Sequence, residues 1–159
     1  MVAVSSVAFR DVVAGFEALP VIPRRASPVL VVTQEPGSRR AIERALEPRG
    51  IPVVATWLAD AVAMLLDRDP FACVIIDLDL PHLAGQELVQ ACRAAHPEIP
   101  VIVMAQQRLE AAFTTPVRGV GGYLPKPLSE TSVGSLVERV VTKRPVERAL
   151  KLLSAVLLH

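Results

Sequence analysis

The stretch ACVIIDLD, residues 72–79, decides how this chain folds. Five apolar residues (72–76) run directly into the carboxylate of Asp77, as in a strand that is buried on both faces and ends at the edge of a sheet. Burying a carboxylate is costly unless the group is paired. The stretch therefore predicts an interior strand of a parallel sheet that ends in a paired acidic residue.

Similar apolar runs lie on both sides of this strand along the chain, and a helical pattern follows each of them. The predicted strands cover residues 28–33, 51–56, 72–78, 100–105 and 119–124. The predicted helices cover residues 38–49, 58–68, 84–95, 107–113 and 129–142. Because parallel strands need crossover connections, this alternation predicts an α/β fold, a doubly wound parallel sheet with helices on both faces.

Two further segments flank the predicted sheet. Residues 1–27 carry apolar side chains at spacings of three and four, followed by a proline-rich stretch that is typical of a stiff linker. This N-terminal extension fits either an amphipathic helix or a variable tail. Residues 143–159 predict an extra C-terminal helix that begins after Pro145 and has a broad apolar face. The core domain is therefore expected to cover residues 28–142.

Composition excludes several classes of protein. The 159 residues are 52% hydrophobic with a formal net charge of +1, which argues against global disorder and against a nucleic-acid-binding surface over the whole chain. Two cysteines without neighbouring ligands predict neither a disulfide framework nor a zinc site. No run approaches the roughly 20 apolar residues that cross a bilayer, and no targeting segment stands out. A cytoplasmic protein is expected.

Sites in open parallel sheets lie beyond the carboxyl ends of the strands, where the strand order reverses. The residues at these predicted ends are Thr33, Gln34, Glu35, Asp77, Asp79, Ala105, Gln106 and Lys126. Taken on the residues alone, Asp77 has two interpretations. It is either a strand cap paired with Lys126, or a nucleophilic or metal-binding carboxylate.

Three stretches together resemble the response regulator receiver domain, the CheY-like family. DLDLPHLAG (77–85) is similar to the family signature, an Asp followed by a Pro four residues on and a Gly eight residues on. GVGGYLPKPL (119–128) resembles the family's fifth strand, with an aromatic residue three positions before Lys-Pro. VLVVTQEPGSRRAIERAL (29–46) resembles its first strand and helix in all but the acidic residues. The resemblance implies a flavodoxin-like (βα)5 fold with strand order 2-1-3-4-5.

The resemblance also implies roles for single residues. Asp77 would be the phosphoacceptor, and Lys126 would contact the phosphoryl group. The backbone carbonyl of Asp79 stands where the family has a metal ligand, so Asp77 and Asp79 are the candidate metal ligands. The family's acidic pair after the first strand, which helps to hold Mg²⁺, is replaced here by Thr33 and Gln34.

This replacement predicts a weak metal site. Mg²⁺ prefers oxygen ligands and is usually held by one or two carboxylates and waters. Glu35 is expected to point away from the site, because successive strand side chains alternate between faces. Asp77 would then be the only anionic ligand left, opposed by Lys126. We expect weak Mg²⁺ binding, no other cofactor, and slow or absent autophosphorylation.

A second departure concerns the switch positions. The family's Ser or Thr at the end of the fourth strand is Ala105 here, which has no hydroxyl to follow a phosphoryl group. Ala105 also leaves room, and our hypothesis is that Tyr123 fills this space without phosphate and keeps the output face in one state. By pattern alone, Tyr123 fits an ordinary edge-strand aromatic equally well.

These features together predict a degenerate receiver, a pseudo-receiver of two-component (phosphorelay) signal transduction that acts by protein contact and is not an enzyme. The expected partner is a histidine kinase or a downstream effector, and a homodimer would form through the last receiver helix and the tail. Neither nucleic acid nor membrane is an expected partner. Two alternatives stay open: a functional receiver phosphorylated on Asp77 by a histidine kinase, and a small flavodoxin-like hydrolase or ligand-binding protein.

Overall fold

The computed structural model describes residues 26–68, 70–81, 85–106 and 120–157. For residues 59 and 144–157 it describes the backbone only. Its strands are β1 (Val29–Val32), β2 (Val53–Thr56), β3 (Cys73–Asp77), β4 (Val101–Gln106) and β5 (Val120–Lys126). Its helices are α1 (Pro36–Leu46), α2 (Ala59–Arg68), α3 (Gly85–Ala95) and α4 (Glu130–Leu157). The helix predicted over residues 107–113 and most of the N-terminal extension lie outside the described residues.

The five strands form one parallel sheet in the order β2-β1-β3-β4-β5, which confirms the predicted α/β fold and its strand order. Every residue of β1 and β3 is buried, as the continuous apolar runs in these strands predicted. The chain moves outward from β1 to β2 and then crosses back to β3 on the other side. The strand order therefore reverses between β1 and β3, and the site expected of such a sheet lies at their carboxyl ends.

Side chains that alternate along the strands divide the core into two layers. One layer packs beneath α1 and α4 and includes Val29, Val31, Ile42, Leu46, Ile75, Met104, Val133 and Val137. The other packs beneath α2 and α3 and includes Leu30, Val32, Val62, Leu66, Val74, Ile76, Leu88 and Val89. Helices therefore cover both faces of the central strands, as a parallel sheet requires.

Helix α1 differs slightly from the predicted range of residues 38–49. It begins at Pro36, whose fixed φ suits the first turn of a helix. The α-helix ends at Leu46, because Pro48 has no N–H to continue the hydrogen-bond ladder. A single 3₁₀ turn over Glu47–Arg49 then leads to Gly50, which has a φ of 64° that favours glycine.

The predicted tail helix is present, but it is joined to the fifth predicted helix. Helix α4 runs without a break over 28 residues, Glu130–Leu157, and passes through Pro145. We expected a break at Pro145, because a proline cannot donate to the carbonyl of Val141 and its ring crowds that carbonyl, but the helix continues beyond it. In the part of the chain that the structure describes, no helix is both long enough and apolar enough to span a membrane.

Helix α4 lies close to β5 at a glycine. The β4–β5 register shifts between Val101 and Ile102, and Gly122 lies opposite Ile102. A Cβ atom added to Gly122 would come within 2.5 Å of a methyl carbon of Leu136 on α4. Leu136 is buried, so it has little room to move aside.

We therefore predict that Gly122→Ala lowers the free energy of unfolding by about 1–3 kcal/mol, the usual cost of overpacking a core. The matched control is Gly37→Ala in α1, where nothing lies within 4 Å of an added Cβ. Because alanine restricts the unfolded chain more than glycine does, Gly37→Ala should be neutral or stabilising by up to about 1 kcal/mol. Chemical denaturation measures both, and equal stabilities of the two variants would contradict this packing of α4 on β5.

Candidate functional site

The site begins where β1 and β3 end side by side. Val32 pairs with Ile76, so the next residues, Thr33 and Asp77, are neighbours at the sheet edge. The backbone N–H of Thr33 donates to the carbonyl of Thr56 at 3.0 Å, which ties the end of β1 to the end of β2. Thr33 is 6% exposed and Asp77 is 3% exposed, so the two polar side chains face each other out of contact with most solvent.

The buried carboxylate of Asp77 is fully occupied by donors. Its Oδ1 atom accepts the backbone N–H of Asp79 at 3.0 Å and the ammonium of Lys126 at 2.8 Å. Its Oδ2 atom accepts the hydroxyl of Thr33 at 2.7 Å and the same ammonium at 2.9 Å. Since a carboxylate offers about four lone-pair sites, these groups saturate it.

Lys126, the last residue of β5, binds three carboxylates rather than one. Its Nζ atom lies 2.8 Å from Asp77, 3.1 Å from Glu35 and 3.1 Å from Asp79. Burial of the ammonium opposes its charge, but the hydrogen bonds and charges of Asp77, Glu35 and Asp79 outweigh burial and raise the pKa of Lys126. The peptide bond from Lys126 to Pro127 is cis, an isomer that is essentially confined to bonds before proline.

The expectation that Glu35 points away from the site is wrong. The alternation of side chains holds only within a strand, and β1 ends at Val32. Glu35 is instead the N-cap residue of α1, with φ −87° and ψ 111°, and this conformation brings its carboxylate to Lys126. The hydroxyl of buried Ser38 donates to the same carboxylate, and this bond, followed by that from Lys126, lowers the pKa of Glu35.

Asp79 contributes its side chain to the site in addition to its backbone. Its Oδ2 atom lies 3.1 Å from the Lys126 ammonium and accepts the backbone N–H of Gln106 at 3.1 Å. The resemblance pointed only to the carbonyl of this residue as a metal ligand. The expectation that Asp77 is the only anionic group left at the sheet edge is therefore wrong, because Glu35 and Asp79 both reach the same lysine.

The residues present do not fit a magnesium ion in this arrangement. Glu35, Asp77 and Asp79 carry three negative charges and Lys126 one positive charge, so the charge would attract a cation. The carboxylates, however, are directed at the lysine. In the described ranges no group of three or more His, Cys, Asp or Glu side chains is arranged to hold a metal ion. A metal ion would have to displace the lysine or the Thr33 hydroxyl from Asp77.

Three further residues singled out in the sequence are also described: the switch positions Ala105 and Tyr123, and Gln34, which replaces the second residue of the acidic pair. Ala105 is fully buried at the end of β4. Tyr123 is half-buried against the layer under α2 and α3, and its hydroxyl donates to the carbonyl of Ala105 at 3.3 Å. Gln34 is exposed, in contrast to Thr33. The structure thus brings Thr33, Asp77 and Lys126 together, and it joins Ala105 to Tyr123.

Ser38 is the site residue that sequence reasoning missed. It is buried in the first turn of α1 and is bonded to Glu35, three residues earlier. A Ser three residues after a Glu at a helix start resembles a reversed capping pair, and that spacing was the available signal. Ser38 thus orients the Glu35 carboxylate, which contacts the Lys126 ammonium just beyond the end of β1.

Comparison with known proteins identifies a family and several relatives that this chain resembles. Residues 29–138 match the response regulator receiver domain family. The chain is 31% identical over 115 residues to the response regulator protein FleR of Pseudomonas aeruginosa, a match that covers 72% of this chain and 24% of FleR. It is 30% identical over 115 residues to the DNA-binding transcriptional regulator NtrC of Salmonella typhimurium, again over 72% and 24%. The chain thus spans about a quarter of the length of these relatives.

A solved structure supports the fold alone. The response regulator receiver domain protein (CheY-like) of Methanospirillum hungatei has a TM-score of 0.68 with this chain at 19% identity. The match covers 77% of this chain and 98% of that one.

Breaking the pair of Lys126 and Asp77 should destabilise the fold strongly. The two side chains are only 10% and 4% exposed, so Lys126→Met leaves a buried carboxylate without its counter-charge. We predict a loss of about 3–5 kcal/mol in the free energy of unfolding. The double variant with Asp77→Asn should recover at least about 1 kcal/mol relative to the sum of the single changes. Strict additivity in denaturation experiments would contradict the coupling.

The lowered pKa of Glu35 predicts a pH dependence. A carboxylate whose folded-state pKa is depressed contributes stability above its ordinary value of 4.5, and this contribution is lost as the pH falls through the folded-state value. Because the side chain is 53% exposed, solvent screening keeps the contribution below about 1 kcal/mol. Wild type should exceed Glu35→Gln in unfolding free energy at neutral pH, and this difference should shrink in acid. Glu43→Gln is the control, because it removes a half-buried carboxylate of α1 that pairs with Arg39 instead of Lys126, and an equal acid response in both variants would contradict the assignment.

Proposed function

The chain belongs to the response regulator receiver domain family of two-component signalling, and from this premise we propose that it signals by protein contact without magnesium-dependent phosphorylation. The observation that carries the proposal is the saturation of Asp77 by Thr33, Lys126 and the amide of Asp79. In this proposal Asp77 and Lys126 are mainly a structural pair, although they occupy the positions of phosphoacceptor and phosphate contact.

Electrostatics supports the absence of phosphorylation. A phosphoryl group carries about two negative charges near neutral pH. The site already holds three carboxylates against the single ammonium of Lys126. Phosphoryl transfer depends on positioning and on stabilisation of the developing charge, which a metal ion usually supplies. Without metal ligands free to accept such an ion, attack by Asp77 would have to break its bonds to Lys126 and Thr33 first.

The contact between Tyr123 and Ala105 supports a fixed output face. A partly buried tyrosine hydroxyl needs a hydrogen-bond partner, and the Ala105 carbonyl supplies one at 3.3 Å. Ala105 has no hydroxyl that could respond to a phosphoryl group. We propose that Tyr123 keeps this inward position whatever the state of Asp77, so that a partner meets one constant surface.

The partner in this proposal is a protein, either a histidine kinase or a downstream effector, in the cytoplasm. A homodimer through α4 is part of the proposal, as is the absence of catalytic activity, nucleic-acid binding and membrane binding. Helix α4 supports the dimer, because it continues to Leu157 and its residues after Pro145 carry the broad apolar face that the sequence shows, which a second copy would cover.

A second candidate function keeps the phosphorylation. The arrangement of Asp77 within 2.8 Å of Lys126, with two further carboxylates nearby, supports it, because the charge of the site would attract a cation if the lysine moved. In this alternative a partner histidine kinase phosphorylates Asp77 in the presence of Mg²⁺. The same assay separates the two candidates.

The assay compares phosphoryl labelling of wild type by acetyl phosphate or a histidine kinase, with and without Mg²⁺, against the variant Thr33→Asp/Gln34→Asp. The variant restores an acidic pair and removes the Thr33 hydroxyl bond from Asp77. We predict no Mg²⁺-dependent labelling of wild type. The variant should gain labelling by about tenfold or more, equivalent to about 1.4 kcal/mol of transition-state stabilisation.

Asp77→Asn in both backgrounds is the control that assigns any label to this residue. Mg²⁺-dependent labelling of wild type that disappears with Asp77→Asn would contradict the proposal and establish the second candidate function. Gln34→Asp alone is the matched single change, and because Gln34 is exposed it should gain less than the double variant.

A further inference from the structure

The peptide unit that joins Ala105 to Gln106, at the end of β4, is held from both neighbouring strands. Toward β5, its carbonyl accepts the hydroxyl of Tyr123 at 3.3 Å. Toward β3, its N–H donates to the Oδ2 atom of Asp79 at 3.1 Å. A peptide unit is planar and rigid, so a displacement at one of these bonds is passed to the other. The position of Tyr123 is therefore linked to the Asp79 carboxylate through a single peptide unit.

The Asp79 carboxylate takes the place of a strand carbonyl. β3 and β4 pair in parallel, and the last bond of their ladder runs from the N–H of Leu78 to the carbonyl of Met104 at 2.9 Å. The alternation of a parallel ladder would next bring the N–H of Gln106 to the carbonyl of Leu78. The chain turns away at the end of β3, however, and the side chain of Asp79 accepts this N–H instead.

Two further contacts fix the Asp79 side chain in this position. The backbone N–H of Asp79 donates to the Oδ1 atom of Asp77 at 3.0 Å, as in an Asx turn. Its Oδ2 atom also lies 3.1 Å from the Lys126 ammonium, so one oxygen meets a backbone N–H and a full positive charge. Hydrogen bonds to an ionised acceptor are stronger than those between neutral groups. Asp79 thus anchors the end of β4 to the carboxylates around Lys126.

We propose that Asp79 is a positioning residue, whose carboxylate holds the peptide unit of residues 105–106 and, through it, the hydroxyl of Tyr123. The output face is then set by a negative charge that belongs to the chain itself, and a phosphoryl group on Asp77 is not needed to set it. This inference rests on the proposed function in one respect, the constant inward position of Tyr123. It concerns the side chain of Asp79 and is independent of metal binding by the backbone carbonyl.

Loss of the Asp79 carboxylate should therefore move Tyr123. The variant Asp79→Ala leaves the N–H of Gln106 without its acceptor, and because Gln106 is exposed, water takes over this bond and the end of β4 opens more easily. The conservative variant Asp79→Asn keeps an oxygen acceptor and lacks only the charge, so it should restore most of the wild-type position.

Tyr123 reports on the proposal, because it is the only tyrosine of the chain and ring-¹³C-labelled tyrosine gives NMR signals from it alone. The experiment records these signals and the hydrogen exchange of the Gln106 amide in the full chain, without Mg²⁺ or a phosphoryl donor. Wild type should give one set of ring signals and a protected amide. Asp79→Ala should shift or split the ring signals and speed the exchange by about tenfold or more, as expected for the loss of a hydrogen bond to a charged group.

The matched control is Glu35→Ala. Glu35, like Asp79, lies 3.1 Å from the Lys126 ammonium, but the other printed partner of its carboxylate is Ser38 of α1 and not the end of β4. The control removes the same charge from the same lysine, so it should leave the ring signals and the Gln106 exchange as in wild type. An effect equal to that of Asp79→Ala would overturn the proposal, because it would assign the position of Tyr123 to the charge around Lys126.

Tyr123→Phe tests the link from its other end. It removes the hydroxyl from the carbonyl of Ala105, and because coupling between two sites is reciprocal, it should speed the exchange of the Gln106 amide. Unchanged exchange in this variant, or unchanged ring signals in an Asp79→Ala protein that circular dichroism shows to be folded, would overturn the proposal. Failure of the proposed function would appear separately, as Mg²⁺-dependent labelling of Asp77 in wild type.

Discussion

The ammonium of Lys126 is the interaction on which the carboxyl edge of this sheet depends. It joins three elements, because Glu35 begins α1, Asp77 ends β3 and Asp79 lies in the turn that follows. A buried carboxylate is tolerated only when it is paired and hydrogen-bonded, and Lys126 meets most of that need. The Thr33 hydroxyl and the backbone N–H of Asp79 donate the other hydrogen bonds to the Asp77 carboxylate.

Thr33 stands where the receiver resemblance implies an acidic residue. A carboxylate at its position would repel Asp77 and create a need for a metal ion, whereas a hydroxyl donates to Asp77 and removes that need. In our proposal, the Thr33 hydroxyl and the Lys126 ammonium together take the place of a bound cation at Asp77. The backbone N–H of Thr33 also donates to the carbonyl of Thr56, which links the site to the end of β2.

Much of the fold could be predicted because buried strands leave a strong signal. Continuous apolar runs such as 72–76 have few alternatives, and parallel topology then fixes which strand ends meet. Glu35 could not be placed, because its orientation depends on where β1 gives way to the α1 N-cap. The continuity of α4 was missed because a proline in the sequence does not show whether the chain on both sides remains helical.

The most direct test of the account is a crystal structure of the protein grown at high magnesium concentration. The account predicts that Thr33 still donates to Asp77, that Lys126 still contacts Glu35, Asp77 and Asp79, and that no metal density lies on these carboxylates. A magnesium ion bound to Asp77, with the Thr33 hydroxyl or the Lys126 ammonium displaced from it, would contradict the account.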